Sequence, residues 1–429
     1  MTATRLVPVR KRVTITLDGE RIEADEGEPV ASALVAADRL VLARSPKLHR
    51  PRGPSCLRGG CDGCLSRVDG APNVMTCLVP AREGLRVETQ NVIGSRNVDL
   101  LRVTDWFFPN GIDHHHFLAG VPGAGTVMQA IARRVAGLGH LPEVAAPVSP
   151  GERRSVDAVV VGGGAAGIAA ASTLAAKGLS VVLADDGVRL GGSLRGLGEG
   201  SVARVLAAFP LDRVDVRSRT VVAGIYEREA LLVGPNGAAI LSPRVFVLAT
   251  GAHDGQPLFE GNDLPGVMSA RAVATLAAEG IAVGARLVIA GDGPFARAAS
   301  RLLAARAEIT RIALDGILRV EGSTRLGGVV VRDGSGEKRL RADALAIDMD
   351  GAPAFELASQ LGAKMTWAER GFTPAFDESG QCAEGAFVAG ELRGVPVDEE
   401  RLLDSGRAAA EAALRSLALA HRPPARAGA

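Results

Sequence analysis

The sequence predicts an α/β protein with more than one domain, and three features lead to this prediction. Four cysteines lie close together in the first quarter of the 429-residue chain. A glycine-rich loop near residue 162 stands between an apolar strand and an alanine-rich helix. A poorer copy of that strand–loop–helix pattern follows near residue 291. Strands and helices that alternate around such loops are typical of a parallel sheet covered by helices.

The composition is that of a globular protein with substantial cores. Hydrophobic residues make up 47% of the chain and charged residues 23%, and the net charge is +1. This balance gives no reason to expect nucleic acid or an anionic membrane as a partner. No apolar run reaches about 20 residues, so we expect no transmembrane segment. The N-terminus lacks the apolar core of a secretory signal, and clustered thiols suit a reducing compartment, so we expect a cytoplasmic protein.

Residues 12–40 predict a strand, a turn, a second strand and a helix. The segment VTITL alternates apolar and polar residues, and Asp18-Gly19 favours a tight hairpin turn. An alanine-rich helix follows. The cysteine-rich stretch comes next, and residues 84–92 supply a closing strand. This order of elements matches the β-grasp fold of plant-type ferredoxins.

The cysteine-rich stretch predicts a [2Fe–2S] cluster. Its four thiols belong to Cys56, Cys61, Cys64 and Cys77. The first three follow C-x4-C-x2-C, the plant-type spacing, and the fourth returns after a hairpin that turns at Asp69-Gly70. Structural zinc and a redox dithiol are the alternatives, although zinc usually takes two C-x2-C pairs and a dithiol would leave two thiols without a role. Cys382 stands far away in an apolar context, and we expect a small buried residue there.

Residues 98–154 are predicted to connect the cysteine-rich domain to the rest of the chain. They contain DWFFPNGIDHHHF, a helical stretch and a Pro-rich linker. The histidines of the run at 114–116 cannot all face one ion, because adjacent side chains diverge. A packed interdomain or intersubunit segment is therefore preferred to a metal site.

The first glycine loop predicts binding of a dinucleotide or an adenine nucleotide. Gly162, Gly164 and Gly167 form G-x-G-x-x-G between a buried strand and a helix. The first allows a tight turn, the second lets a pyrophosphate approach the backbone, and the third lets the helix pack on the strand. Asp185 ends the following strand, where it can accept a hydrogen bond from a ribose hydroxyl.

The second loop is an abridged copy. Gly291, Gly293 and Ala296 give G-x-G-x-x-A, and Asp315 ends the next strand. The crossover helices of a full nicotinamide domain do not follow, so nucleotide binding here is left open. The predicted domains are a β-grasp domain over 1–97, a connecting segment over 98–154, a Rossmann-like FAD/NAD(P)-binding domain over 155–275 with 345–429, and an abridged second nucleotide-binding domain over 276–344.

The segment VFVLATGAHDGQPLFEGNDLPGVMSA and the later GAFVAGELRG resemble a known family. It comprises the α subunits of heteromeric flavin-dependent amine dehydrogenases and oxidases, such as sarcosine oxidase α, the opine, D-hydroxyproline and proline dehydrogenase α subunits and the middle subunit of hydrogen cyanide synthase. The resemblance covers nearly the whole chain, including DWFFPNG and AGLG. It implies a [2Fe–2S] β-grasp domain followed by a flavoprotein fold with two dinucleotide-binding domains.

The resemblance also implies which residues hold the nucleotide. The first glycine loop and Asp185 would hold the adenine half of FAD, or NAD or ATP in the same place. The other implied contacts are Gly191 and Gly192 near the pyrophosphate or ribityl chain, Thr250 and Gly251 beside it, and Gly390 and Glu391 at the ribityl hydroxyls. This sequence departs from the family at Glu391, where aspartate is usual, and at Asp254-Gly255, where Glu-Arg is common. It also lacks the folate-type domain of the long sarcosine oxidase α chains.

The function that the resemblance implies is electron transfer. A separate FAD-dependent β subunit of the amine oxidase type would oxidise a small secondary amine or imino acid. Electrons would pass through a flavin, with FMN at a subunit interface as a further cofactor, to the cluster and a one-electron acceptor. A self-contained NAD(P)H-dependent FAD/[2Fe–2S] reductase and a non-catalytic nucleotide-bearing scaffold stay open. No catalytic residue is predicted, and His253 is expected to make a structural hydrogen bond.

Overall fold

A computed structural model describes residues 3–45, 48–92, 94–100, 103, 106, 121–135, 151–198, 200–334 and 336–420. Residues 114–116 and the AGLG segment lie outside these ranges. The chain divides into two compact units. The first comprises Met1–Ala146 and Gln256–Met349, and the second comprises Pro147–Gly255 and Asp350–Ala429. Each unit is described by itself.

The secondary-structure elements are numbered in chain order. Up to residue 135 they are β1 (Thr4–Arg5), β2 (Arg12–Leu17), β3 (Glu20–Asp25), α1 (Val30–Ala36), β4 (Ala43–Arg44), β5 (Pro51–Arg52), β6 (Leu65–Val68), β7 (Ala71–Met75), β8 (Arg86–Glu88) and α2 (Ala124–Val135). From residue 151 to residue 255 they are β9 (Glu152–Val161), α3 (Ala165–Ala176), β10 (Val181–Ala184), α4 (Ser201–Ala208), β11 (Asp215–Arg217), β12 (Val221–Tyr226), β13 (Glu229–Gly234), β14 (Gly237–Leu248) and β15 (Ala252–His253).

The remaining elements follow in the same order. From residue 256 to residue 349 they are β16 (Val267–Ser269), α5 (Ala270–Ala278), β17 (Ile281–Ala282), β18 (Arg286–Ala290), α6 (Pro294–Leu303), β19 (Glu308–Ile312), β20 (Ile317–Gly322), β21 (Leu326–Asp333), β22 (Gly336–Arg341) and β23 (Ala344–Ile347). The last set is β24 (Ala352–Pro353), α7 (Glu356–Gln360), β25 (Met365–Ala368), β26 (Gly371–Pro374), β27 (Gln381–Ala383), β28 (Ala386–Val388) and α8 (Glu399–Ala420).

The N-terminal part of the first unit is a β-grasp, as predicted. Its mixed sheet runs in the order β3-β2-β8-β6-β7, and α1 packs against it. Asp18 and Gly19 have φ angles of 51° and 83°, the left-handed pair that a two-residue hairpin turn needs. Inward-facing residues of the strands, such as Ile15 and Val87, pack with Leu34 of α1, and none of the three is more than 1% exposed. The alternation seen in the sequence therefore produces one buried face.

The rest of the first unit is a small parallel sheet in the order β16-β23-β18-β19, flanked by α5 and α6. An antiparallel β20-β21-β22 sheet packs on it through a shared apolar core. The β-grasp part joins this region within the same unit. β1 pairs with β17, and Ser269 donates its backbone N–H to the carbonyl of Ser55 at 3.0 Å. The cysteine loop and the start of α5 are thus directly bonded.

The second unit is built on a sheet in the order β11-β10-β9-β14-β13-β12, with β28 parallel to β14. Helices α3 and α8 lie on one face and share a core with β9, β10 and β14. The glycine loop between β9 and α3 stands at the carboxyl end of the parallel strands, where open α/β sheets bind their ligands. This unit supplies the predicted Rossmann-like arrangement.

The chain leaves the second unit after Gly255 and returns at Asp350. Just before and after these points β15 and β24 pair antiparallel, with Ala252 opposite Pro353. Residues 256–275 pack with the first unit, whereas the sequence prediction placed them in the 155–275 domain. The physical reason is that β16 joins the parallel sheet through β23. Within the described ranges, no helix is both long and apolar enough to span a membrane.

Candidate functional site

The four cysteines of the predicted cluster lie on one loop of the first unit. Cys56, Cys64 and Cys77 are buried, with exposures of 6%, 1% and 2%, and Cys61 is partly exposed. The thiols form two hydrogen-bonded pairs, Cys56 with Cys61 and Cys64 with Cys77. The hydrogen bond from Cys56 lowers the pKa of Cys61 to about 6. The pKa of Cys64 is also lowered, by the hydrogen bond from Cys77, whereas that bond and burial raise the pKa of Cys77. Sulfurs this close to each other suit ligation of a metal.

The backbone of this loop turns its N–H groups toward the sulfurs. Arg58 donates to the Cys56 sulfur at 3.5 Å, and Gly59 donates to the Cys77 sulfur at 3.3 Å. Gly59 has a φ of 76°, which favours glycine at this bend. Such donors stabilise electron-rich sulfur and tune the potential of a bound centre.

The arrangement in pairs fits a cluster with two irons. A [2Fe–2S] centre takes four thiolates shared between two irons, which matches two thiol pairs on one loop. The chemistry of these donors therefore fits [2Fe–2S].

The glycines of the first nucleotide loop lie where close approach is needed. Gly162 has a φ of 101°, and a Cβ atom there would lie 2.2 Å from the carbonyl oxygen of Ala249. A Cβ atom on Gly167 would lie 1.8 Å from the Gly162 oxygen, so helix and strand touch here. Gly164 is different, because a Cβ atom on it would meet only the Cα of Gly192, at 4.0 Å. Open space above Gly164 is what an approaching pyrophosphate requires.

The other predicted nucleotide contacts in the second unit gather around this loop. Gly191 donates its N–H to the carbonyl of Gly163 at 2.8 Å, and Gly192 comes next to it. Gly390 has a φ of 66° and approaches Ala166 at the start of α3. Their spatial grouping supports one ligand-binding region, and their individual roles stay predictions.

Two polar side chains of this region are engaged within the protein. The carboxylate of Asp185 accepts from the N–H of Gly163 at 2.6 Å and from Gly187 at 2.9 Å. It therefore holds the glycine loop, and its predicted bond to a ribose hydroxyl stays untested. Thr250 donates its hydroxyl to the carbonyl of Ala354 at 2.7 Å, next to Gly251.

Two serines that the sequence analysis did not single out form hydrogen bonds with Gly390 and Glu391, the residues predicted to contact the ribityl chain. Ser193 donates its hydroxyl to the buried carboxylate of Glu391. Ser405 accepts the N–H of Gly390 at 3.0 Å. The signal for Ser193 was its position directly after Gly192. Ser405 lies in the second turn of α8, and only the packing of that helix reveals it.

The second glycine loop lies in the first unit. Gly291 has a φ of 96°, and Asp315 is exposed in a short 3-10 turn, Leu314–Gly316. The carboxylate of Asp348, another residue that the sequence analysis did not single out, accepts the N–H of Ala296 at 2.5 Å, beside Gly293.

Two further predictions concern single residues of the second unit. His253 shares a 2.8 Å hydrogen bond with Glu356 at the surface, and its structural role stays a prediction. Cys382 is only half-buried, so it is less enclosed than the sequence suggested.

Comparisons with known proteins agree with this geometry. Residues 10–92 match a family described as a 2Fe-2S iron–sulfur cluster binding domain. The sarcosine oxidase subunit alpha of Rhizobium meliloti is 28% identical over 95% of this chain and 46% of its own length. Hydrogen cyanide synthase subunit HcnA of Pseudomonas aeruginosa is 37% identical over 19% of this chain and 78% of its own length.

A solved structure extends the likeness across the chain. The L-proline dehydrogenase from P. horikoshii superposes with a TM-score of 0.74 and 22% identity, over 97% of this chain and 76% of that chain. At that identity the match concerns the fold, and it agrees with the predicted fold class. This chain spans about half the length of the sarcosine oxidase subunits it matches, 46% and 43% of them.

Proposed function

This chain belongs to the family of the α, or electron-transfer, subunits of heteromeric flavin-dependent amine dehydrogenases and oxidases, and we propose that it carries electrons from a flavin to a [2Fe–2S] cluster. The observation that supports this most directly is that the four thiols between Cys56 and Cys77 form two hydrogen-bonded pairs. They lie within residues that match a 2Fe-2S domain family. A chain with such a loop and an open glycine loop has the parts of a redox relay.

In this proposal Cys56, Cys61, Cys64 and Cys77 hold the cluster. The N–H groups of Arg58 and Gly59 stabilise charge on the sulfurs, because each points at one of them. Burial of three of the thiols keeps water away and favours a stable centre. These residues bind the cluster and tune its potential, and none of them needs to move a proton.

The first glycine loop holds the dinucleotide, FAD in our proposal. Gly164 leaves room for the pyrophosphate, and the N-terminal turn of α3 offers it backbone N–H groups. Glu391, fixed by the hydroxyl of Ser193, would orient the ribityl chain. Bound in these places, a flavin would accept two electrons together, and a [2Fe–2S] cluster would pass electrons on one at a time.

The substrate site is proposed to lie on a partner, a β subunit of the amine oxidase type with its own FAD. Relatives named as sarcosine oxidase subunits support a small secondary amine or imino acid as the substrate. FMN at the interface of the two subunits is part of the same proposal. The need to keep four thiols reduced supports a cytoplasmic location.

The test uses the chain purified anaerobically with its partner subunit. Reduction by an amine substrate should produce the EPR signal of a reduced [2Fe–2S] centre and drive a one-electron acceptor. Cys56→Ser and Cys64→Ser, one from each thiol pair, should abolish the EPR signal and transfer to the acceptor. Reduction of the flavin by the amine should persist, because the substrate site is elsewhere.

Cys382→Ser is the matched control, since it also removes a thiol and should change neither readout. Wild-type protein without acid-labile sulfide, or silent in EPR after dithionite, would contradict the proposal. Rapid reduction of the isolated chain by NADH would favour a self-contained reductase. Release of only a redox-inactive nucleotide would favour a scaffold.

A further inference from the structure

The two glycine loops are built alike, although one lies in each unit. In the first loop, the residue after β14 is Ala249, and its backbone carbonyl oxygen faces Gly162. In the second loop, the residue after β23 is Asp348, and its backbone carbonyl oxygen faces Gly291 in the same way. A Cβ atom would lie 2.2 Å from the facing oxygen in both loops. Ala249 and Asp348 therefore occupy equivalent positions, and they differ in their side chains.

The side chain at this position decides what lies at the start of the following helix. In the first loop the residue at this position is Ala249, whose methyl group cannot accept a hydrogen bond from the N-terminal turn of α3. In the second, the carboxylate of Asp348 accepts from Ala296 at 2.5 Å and also from the N–H of Phe295. Pro294 before them has no N–H to offer. The first available donors of α6 are thus taken by Asp348.

The same carboxylate also fills the space that the loop glycine leaves open. A Cβ atom on Gly293 would lie between 2.6 and 2.7 Å from the three carboxyl atoms of Asp348. At the matching Gly164 that space holds no side chain. The position that a pyrophosphate takes in a nucleotide-binding loop of this type is therefore occupied by an acidic group in the second loop.

We propose that Asp348 closes the second glycine loop by standing in the place of a nucleotide's phosphates, so that this chain binds a nucleotide at its first glycine loop alone. A phosphate brought to the second loop would face a carboxylate of like charge and would find the donors already used. Asp348 is thereby a residue that sets cofactor stoichiometry. This inference concerns the second loop and does not depend on the proposed electron-transfer function.

Two arginines lie around Asp348, and they determine the charge that the loop would have without its carboxylate. Arg271, 8% exposed, lies over the ring of Phe295 at 4.7 Å and interacts electrostatically with Asp348, as does Arg297. Burial raises the pKa of Asp348, while the N–H of Ala296 and these arginines act in the opposite direction. Without the carboxylate, two cations and the free N-terminus of α6 would face the loop, a suitable environment for an anion.

The test counts nucleotide sites on the full chain, with ADP as the probe. Bound nucleotide is first released from the protein and measured per chain, and ADP is then titrated by calorimetry. Wild type should take up one ADP per chain. Asp348→Ala, which copies Ala249, should take up two, the second at least about tenfold tighter than any second binding to wild type. Asp348→Asn keeps the shape without the charge and should give an intermediate second affinity.

Gly164→Ala is combined with these variants to assign the sites. Gly164→Ala alone should bind ADP at least about 30-fold more weakly than wild type, whereas Gly164→Ala with Asp348→Ala should regain one tighter ADP site, at the second loop. Two ADP molecules on wild type, or wild-type ADP affinity in Gly164→Ala, would overturn the proposal. A folded Asp348→Ala protein that gains no second site would overturn it equally. If Asp348→Ala does not fold, the wild-type count, Gly164→Ala and Asp348→Asn still decide the question.

Discussion

Replacing Gly164 by alanine should weaken nucleotide binding while leaving the fold intact. Gly164 has φ and ψ of −77° and −173°, an extended conformation open to any residue, and a Cβ atom there meets only Gly192 at 4.0 Å. The added methyl would project about 1.5 Å into the space left for the pyrophosphate. Losing one or two charge-assisted hydrogen bonds costs about 2–4 kcal/mol, or a Kd raised about 30-fold or more.

Gly167→Ala is the contrasting variant, because it should damage the fold. Its Cβ atom would lie 1.8 Å from the Gly162 oxygen and needs at least 3.0 Å, so the loop would have to move by about 1.2 Å. Overpacking of backbone on backbone costs about 3 kcal/mol, which lowers the Tm of a unit this size by roughly 6–12 °C.

The assay pairs calorimetric titration with thermal unfolding of nucleotide-free protein. We expect Gly164→Ala to change Kd and to keep Tm within about 2 °C, and Gly167→Ala to lower Tm. Full nucleotide affinity in Gly164→Ala would refute the placement of the pyrophosphate. An unchanged Tm in Gly167→Ala would refute the close packing of α3 on β9.

Three further predictions concern stability and reactivity. Arg39, with Arg96, holds the pKa of Glu20 at about 2, below its usual 4.5, so the carboxylate stabilises the fold above pH 4.5 and that stability is lost as the pH falls toward 2. Glu20→Gln should cost about 1 kcal/mol in urea unfolding at pH 7, since the pairs are partly exposed, and nothing near pH 2; an equal cost at both pH values would contradict this. Burial raises the pKa of Cys382 to about 11 from an ordinary value of 9.0, so in the cluster-loaded protein its alkylation at pH 8 should be about 100-fold slower than that of a free thiol, and labelling at the free-thiol rate would argue against burial. Ser193→Ala removes one hydrogen bond to buried Glu391 and should lower Tm by about 2–4 °C, whereas a Tm equal to that of wild type would show that the bond contributes nothing.

Local features of the chain were predictable from the sequence because their causes are local. The Asp18-Gly19 turn and the alternation of β2 are fixed by neighbouring residues, and the structure has both. The loop glycines around Gly162 were found for the same reason, since each answers a steric need within a few residues. Neither the turn nor the glycine spacing depends on a distant part of the chain.

Features that depend on distant segments were not predictable. The Asp69-Gly70 turn predicted the β6–β7 hairpin that returns Cys77, but the pairing of Cys77 with Cys64 follows only from the folded loop. Asp348 meets Gly293 only because β23 inserts between β16 and β18 in the sheet. The boundary near residue 255 likewise depends on the pairing of β16 with β23, which a linear pattern does not reveal.

The pairing of β15 with β24 places both ends of residues 256–349 side by side. An inserted segment whose two ends lie side by side can be shortened or substituted while the sheet of the second unit stays intact. Substitutions within residues 256–349, at Asp348 for example, can therefore be made while the second unit keeps its own glycine loop. The paired strands Ala252–His253 and Ala352–Pro353 need not change with them.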